Sequence, residues 1–196
     1  MSMAAMNPFM GELIATAAPG ITCSWCQIAL YEETPVAVSN TAVLASTPLT
    51  AQAQTIATGI TNPDVPRNVI IVGAIAGSTG NVTVTGTDFA GNTITETIAL
   101  SGTTVVAGAK AFATVTEIGL PVSAGAGDGV SVGVGSKLGL PFTLSKNTLR
   151  MAFNNGALET TAPTVTVDAV NICNNTVTLA STLAGNTISF YLVVPG

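Results

Sequence analysis

Histidine is missing from this chain of 196 residues, and charged residues make up only 8% of it, against about 25% in a typical globular protein. Without histidine there is no Ser–His–Asp or Cys–His arrangement, and the usual general base and the commonest metal ligand are lost. The ten carboxylates are scattered, and the adjacent pair Glu32 and Glu33 would point apart in an extended segment. We therefore expect a protein that is not an enzyme, with no catalytic, cofactor-binding or metal-binding residues.

Basic residues are also few. The net charge is −5, and the five cations form no cluster along the chain. Neutralising nucleic-acid phosphates requires several clustered cations. No stretch of about 18 apolar residues is free of chain breakers, as a membrane helix would require. The composition therefore argues against nucleic acid and membrane as partners.

Three cysteines, Cys23, Cys26 and Cys173, could in principle carry chemistry. A closed zinc site needs four ligands, and three thiols without histidine do not supply them. A thioredoxin-like Cys-x-x-Cys belongs at a helix start in a βαβ unit, a pattern that this chain lacks. We expect small, buried or partly exposed thiols without metal or catalytic role. Because their number is odd, a disulfide between chains stays open.

Glu96 stands out because it shares the apolar side of an alternating segment with Ile94 and Ile98. It marks either the end of the buried face or an inward charge that protects a sheet edge. A lone carboxylate without a partner residue is a poor candidate for acid–base catalysis.

The loops offer two weaker signals. The glycine-rich segments 125–129 and 133–139 lack a phosphate-loop motif, and no helical pattern follows them, so turn glycines explain both. Asp64, Asp88 and Asp128 could bind calcium only if their loops converge in space.

Threonine takes the place of the missing charges, with thirty residues in the chain. Apolar and polar residues alternate on both sides of segment 88–92 between Asn81 and Leu100, as half-buried strands require. Gly91 can adopt the positive φ of a turn, so the pattern predicts a β-hairpin. Strand-length segments recur about every 8–12 residues without helical periodicity. They predict an all-β fold, an antiparallel β-sandwich for which a jelly-roll order of strands is one option.

The chain divides into two parts by composition. Residues 1–34 are rich in Met and small residues and contain no Lys or Arg, which predicts an extended, irregular N-terminal arm rather than a secretory signal. Weak helical patterns cover residues 9–17 and 25–33. Residues 35–196 form the predicted β-sandwich domain, with strands at 37–45, 69–76, 103–106, 111–120, 130–134, 142–144, 147–153, 164–170, 176–179 and 187–194 besides the hairpin.

The region from Asn62 to Leu100 resembles a recurring segment of tailed-bacteriophage virion structural proteins. The resemblance is carried by the stretches NPDVPRN and GNVTVTGTDFAGNTITETIALSG. The similarity continues through AFATVTEIGLP, GDGVSVGVG and KLGLPF, with a weaker echo in ETTAPTVTV. It covers residues 60–170 and leaves out the N-terminal arm. The resemblance implies a small β-rich protein similar to capsid decoration or cement proteins, a group that brings no enzymatic residues with it.

The function implied by this resemblance is a non-enzymatic structural component of a tailed-phage virion. The first candidate is a head decoration or cement protein, which stabilises the capsid by inter-subunit contacts. Its partners would be the major capsid protein or another virion protein and further copies of itself, as a homotrimer, in virions assembled in the host cytoplasm. A neck or tail protein remains an alternative. So does a receptor- or carbohydrate-binding β module, although one Trp and two Tyr offer little for stacking on sugars.

Overall fold

The structure of the protein, a computed structural model, describes residues 13–15, 22–24 and 26–195, with side chains from residue 27 to residue 194. Antiparallel strands dominate these residues, and a 3-10 turn at Ile172–Asn174 is their one helical element. The prediction of an all-β, sandwich-like fold is confirmed. In chain order the strands are β1 (Leu13–Ala15), β2 (Thr22–Ser24), β3 (Cys26–Glu33), β4 (Ser39–Pro48), β5 (Gln54–Ile56), β6 (Arg67–Gly73), β7 (Asn81–Thr87), β8 (Thr93–Ala99), β9 (Val106–Phe112), β10 (Thr114–Leu120), β11 (Gly129–Gly139), β12 (Leu149–Asn154), β13 (Ala157–Leu158), β14 (Thr164–Thr166), β15 (Thr176–Thr178) and β16 (Ile188–Pro195).

Three sheets make up most of the fold. The first sheet has the strand order β5-β10-β7-β8, and the middle sheet has the order β14-β15-β11-β6-β9 with β4 also paired to β11. The third sheet has the order β13-β12-β16-β3, and β1 pairs separately with β2.

The first hydrophobic core lies between the first sheet and the middle sheet. Val82 and Val84 of β7 face Val130 and Val132 of β11 across it, and all four are fully buried. The alternation of β7 places its threonines on the opposite, outer face. Strand β6 lies inside the middle sheet and is buried along nearly its whole length. This burial agrees with the apolar run from Val69 to Val72 that follows Arg67 and Asn68.

A second core lies between the far end of the middle sheet and the third sheet. Leu138 at the end of β11 and Val177 of β15 pack in one cluster with Phe190 and Leu192 of β16. Strand β11 therefore contributes to both cores. The single predicted sandwich is in fact a pair of cores that share one long strand.

Two β-bulges flank β6 where the two cores meet. The β9 register shifts between Asn68 and Ile70, and the β11 register shifts between Val134 and Leu138. The buried Asn68 side chain supplies hydrogen bonds on both sides. Its Nδ2 donates to the Gly108 carbonyl at 3.1 Å, and its Oδ1 accepts from the Lys137 N–H at 2.9 Å. One amide side chain thus replaces ladder bonds that the bulges remove.

Arg67 precedes Asn68 and is completely buried. Its guanidinium donates to the Gly135 carbonyl, to the Val36 carbonyl at 3.0 Å and to Asp64 Oδ1 at 3.0 Å. The other Asp64 oxygen accepts the Val36 N–H at 2.7 Å. Burial lowers the pKa of Arg67 and the Asp64 carboxylate acts in the opposite direction, so the ion pair favours the charged form.

The predicted hairpin is confirmed: β7 and β8 pair in register from Asn81–Ala99 to Thr87–Thr93. The Asp88 carboxylate accepts the N–H groups of Ala90 and Asn92 at 2.9 Å each, and Gly91 has φ of 82°. An Asp that bonds its own turn in this way fixes the loop conformation.

The single strand predicted over residues 111–120 is wrong, because two strands occupy it. Strand β9 ends at Phe112 in the middle sheet, β10 begins at Thr114 in the first sheet, and the Ala113 N–H donates to the Thr87 carbonyl at 2.8 Å. Both sheets face the same core, so the alternation of apolar residues continues across the crossing and conceals it. The predicted strands at 103–106 and 142–144 are also wrong, since residues 103–105 and 142–144 are irregular.

The weak helical pattern over residues 25–33 is contradicted as well. Cys26–Glu33 is strand β3, paired with β16 from Ile188–Glu33 to Pro195–Cys26. Tyr31 packs inward against Phe190 with ring centroids 6.3 Å apart. These residues, assigned to the N-terminal arm by composition, are therefore a strand of the third sheet. The pattern over residues 9–17 lies mostly outside the described residues, among which Leu13–Ala15 is strand β1.

We predict that Arg67→Met destabilises the protein by about 2–4 kcal/mol. It leaves the buried Gly135 carbonyl and the Val36 carbonyl without their donor, and it removes the cation that pairs with the partly exposed Asp64 carboxylate. Urea unfolding monitored by circular dichroism measures the effect. Lys146→Met, at an exposed position, is the control and should change stability by less than about 0.5 kcal/mol. Equal effects of the two substitutions would contradict the role given to Arg67.

Candidate functional site

The adjacent carboxylates Glu32 and Glu33 point to different sides of β3. Glu32 accepts a hydrogen bond from the Ser189 hydroxyl at 2.6 Å, and Glu33 accepts one from the Tyr31 hydroxyl at 2.5 Å. Burial, followed by the bond to Glu33, raises the pKa of Tyr31. The two carboxylates therefore do not converge on a common reacting atom, as the sequence predicts.

The Glu96 carboxylate joins two sheets by hydrogen bonds. Its Oε1 accepts the Ala109 N–H at 2.6 Å, and its Oε2 accepts the Lys110 N–H at 3.3 Å. Both donors lie in the β9 bulge at the edge of the middle sheet, while Glu96 belongs to edge strand β8 of the first sheet. Of the two interpretations open for this residue, the structure supports the charge that protects an edge.

The three loop aspartates do not come together. Asp64 pairs with Arg67, and Asp88 bonds its own hairpin loop. Asp128 Oδ2 accepts the Ala124 N–H at 2.9 Å within another loop. Among the residues whose side chains are described, no group of three or more potential metal ligands is found.

Residues 168–175 form a compact loop that sequence reasoning missed. Asp168 Oδ1 accepts the N–H groups of Val170 and Asn171 at 2.8 and 2.9 Å. Its Oδ2 accepts the side-chain amides of Asn171 and Asn174 at 3.2 and 2.7 Å. These bonds hold the pKa of Asp168 well below its usual range. The spacing Asp168, Asn171, Asn174 was the available signal, and it produces a structural loop.

Cys173 lies in this loop and is buried. Burial raises the pKa of its thiol, which disfavours the nucleophilic thiolate. The side chains of Cys23 and Cys26 lie outside the described residues, so the expectation that they carry no metal and no catalysis stays a prediction.

The glycine-rich segment 133–139 belongs to strand β11. A Cβ at Gly133 would overlap the Ser39 carbonyl of β4, and one at Gly135 would overlap the Asn68 side chain. Close approach of neighbouring strands accounts for these glycines. No helix among the described residues follows them to offer an anion site.

A cleft with a volume of about 620 Å³ lies at one end of the second core. Glu159 and Asn154 both bond the Ser181 hydroxyl there, the latter at 2.9 Å, and Asn186 donates to Asn154 at 3.1 Å. The cleft is wide and polar, and no aromatic side chain lines it.

The outer face of the first sheet is covered with threonine. Thr83 and Thr97 lie opposite each other with hydroxyl oxygens 3.3 Å apart, as do Thr85 and Thr95. We call this surface the threonine face; its members are Thr83, Thr85, Thr87, Thr93, Thr95, Thr97 and Thr114. Cross-strand threonine pairs keep the surface ordered without long charged side chains.

The outer face of the third sheet is apolar instead. Its middle row joins Leu30, Tyr191 and Met151 of three adjacent strands. Ile28 is 71% exposed and Leu158 is 54% exposed. We call this surface the apolar face; its members are Ile28, Leu30, Met151, Phe153, Leu158, Tyr191 and Val193. Sequence reasoning missed it, although the uninterrupted apolar run in β16 is a signal of burial on both faces.

Comparison with protein-family models, with curated proteins and with solved structures gives no significant match to this chain. In the described part of the chain, no helix has the length and apolar character needed to cross a membrane.

We predict that Asp168→Asn lowers stability most at neutral pH. The lowered pKa means that the carboxylate's contribution is complete above the ordinary value of 3.8 and is lost as the pH falls below it. The difference in unfolding free energy between wild type and variant should therefore be constant from neutral pH down to about pH 5 and shrink below about pH 4. Urea titrations over this pH range measure it.

Glu117→Gln, at an exposed position without a hydrogen bond among the described side chains, is the matched control and should leave stability unchanged. A difference for Asp168→Asn that grows toward acid pH would contradict the account of the loop.

Proposed function

We propose that this protein is a non-enzymatic structural component of a tailed-phage virion, in first place a head decoration or cement protein. The observation that carries the proposal is a pair of broad sheet faces, one of threonine and one apolar, on which charge is sparse. Glu117 lies opposite Thr85 on the first face, and Glu32 lies opposite Ser189 at the side of the second. The virion resemblance over residues 60–170 covers β7, β8 and β10 of the first sheet, and these three strands carry the whole threonine face.

The threonine face suits repeated contact with a shell. Burying Thr costs less side-chain entropy than burying Lys, Arg or Glu. Its hydroxyls donate and accept hydrogen bonds, so they can pair with exposed backbone groups of another protein. The first sheet packs against a core and is hydrogen-bonded to the middle sheet through Glu96, so it presents these hydroxyls on a rigid surface. A rigid surface loses less conformational entropy on binding.

The same features would serve a neck or tail protein. A carbohydrate-binding module is the second candidate, favoured by the polar cleft at Asn154, Glu159, Ser181 and Asn186. Its amides and carboxylate could bond sugar hydroxyls, but the absence of an aromatic lining removes the stacking surface that glycan sites commonly use.

We predict that purified virions lacking the protein bind it when it is added back, and that the double substitution Thr85→Lys and Thr95→Lys reduces occupancy by roughly tenfold or more. Each change buries an unpaired ammonium in the contact, which costs at least about 1.4 kcal/mol. Quantitative gel analysis of sedimented particles measures occupancy.

Thr164→Lys, an exposed threonine on β14 at the edge of the middle sheet, is the matched control and should bind as wild type does. Failure of the unmodified protein to bind any part of the particle would contradict the proposal. Glycan binding that is abolished by Asn154→Ala and Asn186→Ala would favour the second candidate instead.

A further inference from the structure

The apolar face is a surface of the described residues to which the proposed contact with a shell assigns no role. Leu30 is 51% exposed and Met151 is 45% exposed, and they flank Tyr191 in one row across β3, β16 and β12. Phe153 and Tyr191 contact each other edge to face, with centroids 5.7 Å apart. Contiguous exposed apolar side chains on a rigid sheet indicate a surface that another protein covers.

Charges lie only at the margins of this face, and they lie on opposite sides. Glu32 is on β3, beside Ser189. Arg150 is on β12, where it is the extra, exposed residue of a bulge between Leu149 and Met151. Among the described residues the only ion pair is Arg67–Asp64, so Arg150 has no carboxylate partner within its own chain there.

This arrangement is complementary to itself. A two-fold axis parallel to β16 lays β3 of each copy over β12 of the other and puts the apolar rows in contact. The rotation also brings Glu32 of one copy over β12 of the other, at the level of Phe153. Arg150 lies three residues from Phe153 on that strand, roughly 10 Å along it, an offset that the long arginine and glutamate side chains can bridge. Opposite charges at the rim of an apolar contact set the orientation of two partners.

We propose that the apolar face binds the apolar face of a second copy of this chain, with Arg150 of each copy paired to Glu32 of the partner subunit. This two-fold contact is a different self-association from the homotrimer expected from the sequence. It does not depend on the virion location, which is tested separately by particle binding.

Sedimentation velocity of the full chain over a wide range of concentrations tests the contact. We expect the mass of a dimer, and we expect Leu30→Thr with Met151→Thr to weaken the association by roughly tenfold or more, as for residues at the centre of an interface. The matched control is Val105→Thr with Val122→Thr, since these valines are 44% and 51% exposed and lie outside the apolar face. Circular dichroism checks that each variant is folded.

Charge reversal tests the orientation without changing the apolar surface. Arg150→Glu and Glu32→Arg should each weaken the dimer, and the double variant should restore much of the lost affinity. A structural role of either residue within its own chain would not produce this rescue.

A monomeric wild-type chain would overturn the inference. That is the result expected if the chain's own N-terminal residues or a different protein cover the face. An oligomer whose mass is the same in the Leu30 and Met151 variant and in its control would overturn it too. Particle binding measured on the same variants separates the two proposals. If a monomeric variant still fills its sites on the virion, the structural role stands without the dimer. If the wild-type chain dimerises but never binds particles, the apolar contact stands without the virion role.

Discussion

The buried guanidinium of Arg67 is the interaction on which the joint between the two cores depends. Its neighbours in register are Phe112 of the first core and Leu138 of the second. A charge placed between two apolar clusters must be fully bonded, and Arg67 obtains its acceptors from β11, from Asp64 and from the Val36 carbonyl that follows β3. The same guanidinium therefore holds all three segments in place. Asn68 beside it bonds backbone groups that the two bulges leave without a strand partner.

A rigid joint has a consequence for the outer surfaces. The threonine face belongs to the first sheet and the apolar face to the third, and each is backed by its own core. The two faces differ in what they can bind: one offers hydroxyls that pair with polar backbone groups, and the other offers area whose burial contributes about 25 cal/mol per Å². A component that bonds a shell with one surface and its own copies with another needs this division. Because both surfaces carry few ionised groups, little desolvation cost opposes their burial.

Much of this fold could be predicted from local sequence patterns, whereas features that depend on contacts between distant segments could not. The hairpin at Asn81–Leu100 was readable because alternation and a turn glycine act within a few residues. The crossing at Ala113 was not, since both sheets face one core and the alternation is unbroken. Strand β3 was mistaken for a weak helix because its partner β16 lies at the opposite end of the sequence. The role of Glu96 could be narrowed to two alternatives, but sequence could not decide between them. The N–H groups of Ala109 and Lys110, which donate to its carboxylate, come from a bulge that no sequence signal locates.

The central proposal is that this protein is a structural part of a particle and binds its neighbours through surfaces that are poor in charge. Electron microscopy of virions with and without the protein tests it most directly. The account predicts difference density at repeated positions on the shell, with the first sheet turned toward the underlying protein and the third sheet in contact with another copy. Identical density in the two preparations, with the protein left in solution, would contradict it.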